Sequence, residues 1–264
     1  MFDDYLTLWN LTPDGAPITT HSARLLPVRR NSDNVPAMLK IARDAEEKFG
    51  GGLMVWWDGD GAAPVLAHDD NALLLLRAEG TQSLTDMARN GLTSDDEATR
   101  ILCRTVARLH APRDRPAPTV IPLTEWFREL FPIAQTHGGI PRLCAQTADK
   151  LLSAPQSDVV LHGDIHHANV LDFGPRGWLA IDPKRLGGER GFDYANLFCN
   201  PDGETATRPG RFARRLSIVA EESGLERTRL LAWSGLSAAW TLREGHIAET
   251  ALMVAEIAAA ELSR

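Results

Sequence analysis

The chain has 264 residues, 44% of them hydrophobic, enough to bury the core of one large domain or of a two-lobed one. Its net charge of −7 argues against a nucleic-acid partner, which needs a clustered basic surface, and suits a cationic small molecule. Cys103, Cys144 and Cys199 form no Cys-x-x-Cys pair, the start Met1-Phe2-Asp3-Asp4 is acidic, and no apolar run approaches the roughly 20 residues that span a bilayer, which excludes a disulfide framework and a membrane partner. A soluble, cytoplasmic protein is expected.

In chain order, the first 80 residues alternate short apolar runs with turn signals. Strands are predicted at Tyr5 to Leu11, Ser22 to Val28 and Ala37 to Ala42, with a turn at Thr12-Pro13-Asp14-Gly15. A short helix from Arg43 to Phe49 ends at Gly50-Gly51-Gly52, which feeds a strand from Leu53 to Trp57, a turn at 58–61 and the run Ala72 to Leu76. Residues 77 to 80 close this first unit, 1–80. The remainder, 81–264, reads as helical. Ser94 and Glu97 form a capping box, and Ala98, Ile101, Leu102, Thr105, Val106 and Leu109 make one apolar stripe. Helices follow at 124–136, 142–153, 210–223, 226–242 and 246–262, with Trp126, Trp233 and Trp240 on core stripes. A sheet lobe followed by a helical lobe is the α+β class, with a ligand cleft between the two.

One β segment interrupts those helices and carries the chemistry. Val159-Val160-Leu161 leads into His162-Gly163-Asp164-Ile165-His166-His167-Ala168-Asn169, where Asp164 and Asn169 show the Asp-x-x-x-x-Asn spacing of a phosphoryl-transfer loop. In such a loop the aspartate accepts the proton of the attacking hydroxyl and the asparagine ligates magnesium. A hairpin then runs from Val170 to Phe173 and from Trp178 to Ile181, and it delivers Asp182 back toward Asn169 as the second oxygen ligand. The Asp172-Phe173-Gly174 triplet is a decoy, because Asp172 lies inside the first hairpin strand and leaves no chain for a hairpin between the two ligands. His162 reads as a structural brace. Adjacent His166 and His167 diverge, so a zinc site is not expected.

Lys40 is the one lysine within an apolar strand-like run, where a strongly hydrated ammonium needs a task. Glu46 and Glu47 both qualify as its partner. No Gly-x-Gly-x-x-Gly precedes Lys40; Thr20-His21-Ser22 stands at the hairpin tip instead, so phosphate would meet backbone amides and the Ser22 hydroxyl. Arg77 and Glu79 fall on the segment whose backbone would face a purine.

The loop from His162 to Asn169 resembles the catalytic loop of aminoglycoside phosphotransferases, which begins histidine-glycine. Trp178 to Pro183, Gly188-Glu189, Phe192 to Asn196, Thr20-His21-Ser22, Ala37 to Lys40, Leu109 to Pro112 and Gly235 to Trp240 extend the resemblance to the branch of streptomycin 6-phosphotransferases and hydroxyurea-resistance kinases. It implies a two-lobed, protein-kinase-like fold and magnesium-dependent transfer of the γ-phosphate of ATP, or GTP, to an antibiotic hydroxyl. It also implies Lys40 on the α and β phosphates with Glu47 as its partner, Asp193 bound to the catalytic loop, and the 6-hydroxyl of streptomycin as acceptor. Streptomycin's two guanidinium groups would want carboxylates, and Glu189, Asp202, Glu204, Glu244 and Glu249 border the expected cleft. The alternatives are a kinase of hydroxyurea, a sugar or an amino alcohol, and a catalytically silent kinase-like binding module.

Overall fold

The structure is a computed structural model that describes residues 2–20, 22–43, 45–243 and 249–262; the side chains of 45–50, 137, 237–243 and 249–251 lie outside that description. The amino-terminal half is built on an antiparallel sheet. Its strands are β1 (Leu11–Pro13), β2 (Ile18–Thr19), β3 (Ala23–Arg30), β4 (Val35–Ala42), β5 (Val65–His68) and β6 (Ala72–Leu76), in the order β1-β3-β4-β6-β5 with β2 also on β3. The period-two alternation of a strand decides what Lys40 can do. Ala37, Leu39 and Ile41 of β4 are buried on one face with Leu11, Leu26 and Leu74, so Lys40 projects from the other, in register between Leu25 and Leu73.

The first helix, α1 (Phe2–Leu8), covers the apolar face, where a strand from Tyr5 to Leu11 was expected. Its apolar residues explain the difference. Phe2, Tyr5, Leu6 and Trp9 recur at helical spacing and pack on that face, and Asp3 and Asp4 sit in the first turn, where the helix dipole favours acidic groups.

A second departure is α2 (Ala45–Trp57), a single helix that runs through Gly50-Gly51-Gly52 and includes the segment expected as strand Leu53 to Trp57. Three helical glycines cost about 3 kcal/mol relative to alanine. Full burial of Leu53, Met54 and Trp57, at most 1% exposed, returns about 1.5–3 kcal/mol each, so tertiary packing outweighs propensity. Gly51 lies against Leu73 of the sheet.

After an irregular connector at 77–83, α3 (Leu84–Asn90) and α4 (Leu92–Leu109) follow. The expected stripe of α4, from Ala98 to Leu109, is buried along its whole length. The capping box is not formed: Gly91 is the N-cap, Ser94 donates to the Gly91 carbonyl, and Glu97 pairs with Arg104. Next come β7 (Ile121–Pro122), α5 (Leu123–Trp126), α6 (Leu130–His137) and α7 (Gly139–Ser153), so the expected helix 124–136 is two helices broken at 127–129. The β segment comprises β8 (Asp158–Leu161), β9 (Val170–Asp172), β10 (Trp178–Ala180) and β11 (Leu186–Glu189), where β11 lies between β7 and β8. The chain closes with α8 (Gly203–Ala206), α9 (Arg211–Ser223), α10 (Arg227–Arg243) and α11 (Glu249–Leu262).

The β9–β10 hairpin is wedged between the two halves. Ala180 of β10 exchanges backbone hydrogen bonds of 2.9 Å with Gly61 and Ala63, and the Asp172 carbonyl accepts from the Gly80 amide at 3.0 Å. Trp57 of α2 donates to the Leu109 carbonyl at 3.1 Å and stacks on His162 with ring centroids 6.0 Å apart. Asp172, the decoy carboxylate, therefore serves the connector: it accepts from the amides of Gln82 at 3.2 Å and Gly174 at 2.8 Å.

A methyl group on Gly80 would collide with that carboxylate. Gly80→Ala is expected to lose about 1–3 kcal/mol of stability by overpacking. Urea unfolding should show the loss, and Asp172→Ala in the same chain should recover part of it by vacating the space; a Gly80→Ala variant as stable as the parent contradicts the contact.

Candidate active site

The loop from His162 to Asn169 is shaped by one buried carboxylate. Asp193, 1% exposed, accepts from the amides of His162 at 2.9 Å and Gly163 at 2.6 Å and pairs with His110 Nε2 at 2.7 Å. Burial pushes the Asp193 carboxyl upward, yet the hydrogen bond and charge of His110, with the Gly163 amide, outweigh it and hold the group below the usual carboxylate range. Gly163 has φ +83°, and a Cβ there would strike Leu186, so the glycine is required twice over.

His162 is fully buried and braces the loop from within. Its Nδ1 accepts from the Asp164 amide at 3.2 Å, so the proton resides on Nε2, which donates to the Ile181 carbonyl at 2.8 Å. Burial lowers its pKa and keeps the ring neutral. Its histidine neighbours diverge. His166 Nδ1 accepts from the Ala168 amide, while His167 is buried with Nε2 3.5 Å from Arg215 Nη2. Among the described residues no group of three or more His, Cys, Asp or Glu side chains could hold a metal ion.

Asp164, Asn169, Lys40 and Asp182 come together as follows. Asn169 turns its amide nitrogen to the Asp164 carbonyl at 3.0 Å and to Asp164 Oδ2 at 3.3 Å. That orientation leaves Asn169 Oδ1 as a free acceptor edge. The Ile181 amide donates to the Asn169 carbonyl at 2.9 Å, which fixes the two ends of the hairpin side by side. Asp182 follows at φ +60°, a left-handed conformation that aspartate tolerates better than most residues and that turns its carboxylate toward the sheet. There it accepts from Lys40 Nζ at 2.7 Å, a contact between residues 142 positions apart. Lys40 is 8% exposed, and with Asp182 it walls a cavity of about 370 Å³ that runs between α2 and the sheet past Met54, Leu73 and Leu75. This volume falls within the range of small-ligand sites. Two hard oxygen donors, Asn169 Oδ1 and the Asp182 carboxylate, fit magnesium, which takes one or two protein ligands and completes its shell with phosphate oxygens and water.

The other expected site residues fall as follows. Ser22 is a bend residue immediately before β3, half-buried, and its carbonyl accepts from the Arg43 amide; His21 lies outside the described residues. The side chain of Glu47 on α2 also lies outside them, as do those of Trp240, Glu244 and Glu249. Arg77 and Glu79 occupy the connector, where Arg77 reaches Asp14 at 2.5 Å and Glu79 at 3.2 Å, so their side chains tie the connector to the sheet half.

Two carboxylates expected at the substrate have partners within the protein. Glu189 is 1% exposed and accepts from Arg229, from Trp233 Nε1 at 2.7 Å and from the Gln156 amide at 3.0 Å, so its carboxylate braces the interior. Burial raises its pKa, but Arg229 and Trp233 more than offset this and hold it below its ordinary value. Asp202 caps α8 through the Thr205 amide at 2.8 Å and pairs with Arg89 at 2.8 Å, with its side chain 34% exposed. The sequence pattern missed Asn196, which donates to Asp164 Oδ1 at 2.6 Å, and the buried Asp95–Arg215 pair. A second, small cavity beside Asp164 is lined by Trp126, Lys184, Phe192 and Asn196, so Trp126 packs in the core and also faces the site.

A model of the aminoglycoside/hydroxyurea antibiotic resistance kinases matches residues 8–245. The chain belongs to that family. It is thus a phosphotransferase with a hydroxyl acceptor. It is 52% identical over 246 residues to a streptomycin 3''-kinase of Klebsiella pneumoniae, covering 90% of this chain and 91% of the relative. A streptomycin 6-kinase of Streptomyces glaucescens is 30% identical, covering 94% and 84%, and a hydroxyurea phosphotransferase of Kitasatospora aureofaciens is 30% identical, covering 98% and 76%. The fold matches that of a streptomycin–ATP–APH(2'')-IIa ternary complex with a TM-score of 0.62 at 10% identity, covering 96% and 94% of the two chains. A choline kinase of Cryptosporidium parvum matches with a TM-score of 0.61 at 13% identity, covering 95% and 88%. The α+β class expected from strands followed by helices, and the kinase-like fold that the family resemblance implied, are those of this chain. Among the described residues no helix is long and apolar enough to cross a membrane.

The depressed carboxyl of Asp193 sets an acid limit on this kinase. A group whose folded pKa lies below its unfolded value of about 3.9 contributes its full stability above that pH and loses it as pH falls through the lower, folded value. Asp193→Asn should therefore be less stable than the parent at pH 7, with the gap narrowing below about pH 4; denaturant titrations at pH 7, 5 and 3 measure it, and a gap constant with pH removes the carboxylate from the account.

Proposed function

We propose that this kinase transfers the γ-phosphate of ATP to a hydroxyl of streptomycin, and that the acceptor is the 3''-hydroxyl. What carries the reading is the placement of Asp164 between the small cavity and Asn169, with Lys40 and Asp182 paired on the opposite side of the hairpin. Identity of 52% to a streptomycin 3''-kinase, against 30% to a streptomycin 6-kinase, favours the 3''-hydroxyl over the 6-hydroxyl expected from the sequence motifs. Cytoplasmic ATP is the phosphate donor, and residues 1–80 and 81–264 divide the work into nucleotide binding and acceptor binding.

The acceptor hydroxyl lies within reach of Asp164, which orients it and takes its proton as the oxygen attacks in line. Lys40 neutralises charge on the α and β phosphates, and its bond to Asp182 sets the distance between the sheet and the hairpin. Backbone amides and the hydroxyl at Ser22 meet the phosphates from above, while the connector at Arg77 and Glu79 offers backbone groups to the purine. Asn169 Oδ1 and the Asp182 carboxylate would hold magnesium, which supplies charge neutralisation across the β and γ phosphates when bound. Glu189 is engaged internally, whereas Asp164 and the exposed Glu204 keep carboxylates that a guanidinium can meet.

Asp164→Ala should bind ATP normally and lose at least about 1,000-fold in turnover, the combined worth of a general base and its positioning. Asp182→Asn should instead weaken magnesium-dependent nucleotide binding. Nucleoside-diphosphate release is measured with streptomycin, other aminoglycosides, hydroxyurea and simple sugars, with magnesium withheld as a control. Turnover confined to sugars overturns the substrate. Phosphorus–proton correlation spectra of the product locate the phosphate, and a signal on the 6-oxygen returns the assignment to the 6-hydroxyl.

A further inference from the structure

The catalytic loop does not hold the Asp164 carboxylate alone. Asn196 lies in the short helical turn after Asp193, and its amide nitrogen donates to Asp164 Oδ1 at 2.6 Å. Its orientation is set from behind. Asn200 Nδ2 donates to Asn196 Oδ1 at 3.2 Å and to the Asn196 carbonyl at 2.9 Å. An asparagine side chain has one accepting and one donating end, so a donor on Oδ1 obliges the nitrogen to face Asp164.

The segment that carries both asparagines is anchored in turn. Arg215 Nη1 donates to the carbonyls of Leu197 at 2.8 Å and Asn200 at 2.6 Å. Arg215 is 1% exposed and grips Asp95, also 1% exposed, through Nη2 at 2.6 Å and Nε at 3.1 Å. Arg211 adds a further contact to Asp95 at 3.0 Å. A buried guanidinium satisfied by one carboxylate and two carbonyls is a rigid fixture, because any displacement would strip hydrogen bonds from a charge that water cannot reach.

We infer that Asn196 is a positioning residue for the proton acceptor Asp164, with its amide locked as a donor by Asn200 and its segment anchored by the buried Asp95–Arg215 pair. The inference rests on Asp164 as the base. Asn169 occupies Oδ2 and Asn196 occupies Oδ1, so the plane of the carboxylate is fixed and its remaining lone pairs are presented to the cavity that Asn196, Lys184 and Trp126 line. A carboxylate free to rotate would spend much of its time misaligned with the attacking hydroxyl, and small misplacements are costly in rate.

The test compares Asn196→Ala, Asn200→Ala, the double variant and Asp164→Ala in the full chain, with streptomycin and ATP varied separately and melting temperature measured for each. Asn196→Ala should lower kcat by about 10- to 100-fold at unchanged KM for ATP, the scale of a misplaced catalytic group. Asn200→Ala should lower kcat by about fivefold, the worth of one ordinary hydrogen bond. Because Asn200 acts through Asn196, the double variant should match Asn196→Ala alone. Asn196→Asp keeps the shape but replaces the donor with a second carboxylate, so it should be at least as slow; it serves if the alanine variant melts early. Independent, multiplying effects of the two substitutions, or full kcat in Asn196→Ala beside an inactive Asp164→Ala, overturn the inference and leave the base assignment standing. Near-parental turnover in Asp164→Ala removes the reading beneath it.

Discussion

The pairing of β9 with β10 is the constraint on which the chemistry depends. Three residue pairs, Val170 with Ala180, Leu171 with Leu179 and Asp172 with Trp178, set the register, and the Ile181 amide extends it to Asn169. A one-residue slip would turn Leu171 and Leu179 to the wrong face and carry Asp182 away from Lys40. A two-stranded hairpin this short is marginal by itself. Its position is therefore imposed by its neighbours: Gly61 and Ala63 on one edge, Gly80 beside the turn, and the imidazole of His162 at the open end.

Charge in the site is arranged by depth. The deepest carboxylate, Asp193, is spent on backbone amides and His110, where it shapes the loop. The shallower Asp164 is held at both oxygens by amide nitrogens, and Asp182 shares its charge with Lys40. Buried polar groups that are fully paired rigidify a structure, whereas unpaired ones weaken it. The gradient gives a fixed floor beneath groups that must stay available to a substrate. Neutral His162 completes the floor without adding charge to it.

Much of this was legible in the sequence because the signals were local. The spacing from Asp164 to Asn169 lies within one loop, and the choice of Asp182 over Asp172 follows from counting residues around a hairpin; in the structure Asp172 accepts from the amides of Gln82 and Gly174. Lys40 stood out because a lysine within an apolar strand is anomalous. What was not legible depended on contacts distant in sequence. The run of three glycines reads as a break until Leu53, Met54 and Trp57 are seen to be buried together. Glu189 looked like a cleft acid because Arg229 and Trp233, 40 and 44 residues away, give no sign in the sequence that they will claim it. Asn196 was visible only as part of a motif, since its task is defined by Asp164 on one side and Asn200 on the other.

The Asp95–Arg215 pair constrains how such a chain can drift. Asp95 serves two buried guanidinium groups, those of Arg215 and Arg211, so losing the carboxylate alone strands both, at a cost of about 3–5 kcal/mol or more, and only a joint exchange of the three for well-packed apolar residues avoids that cost. Each single step away from the cluster consumes a large share of the roughly 5–15 kcal/mol by which a fold is stable. The cavity beside Trp126 and Lys184 lies outside this cluster, so its lining can change one residue at a time, whereas the three charges beneath it change without loss only together.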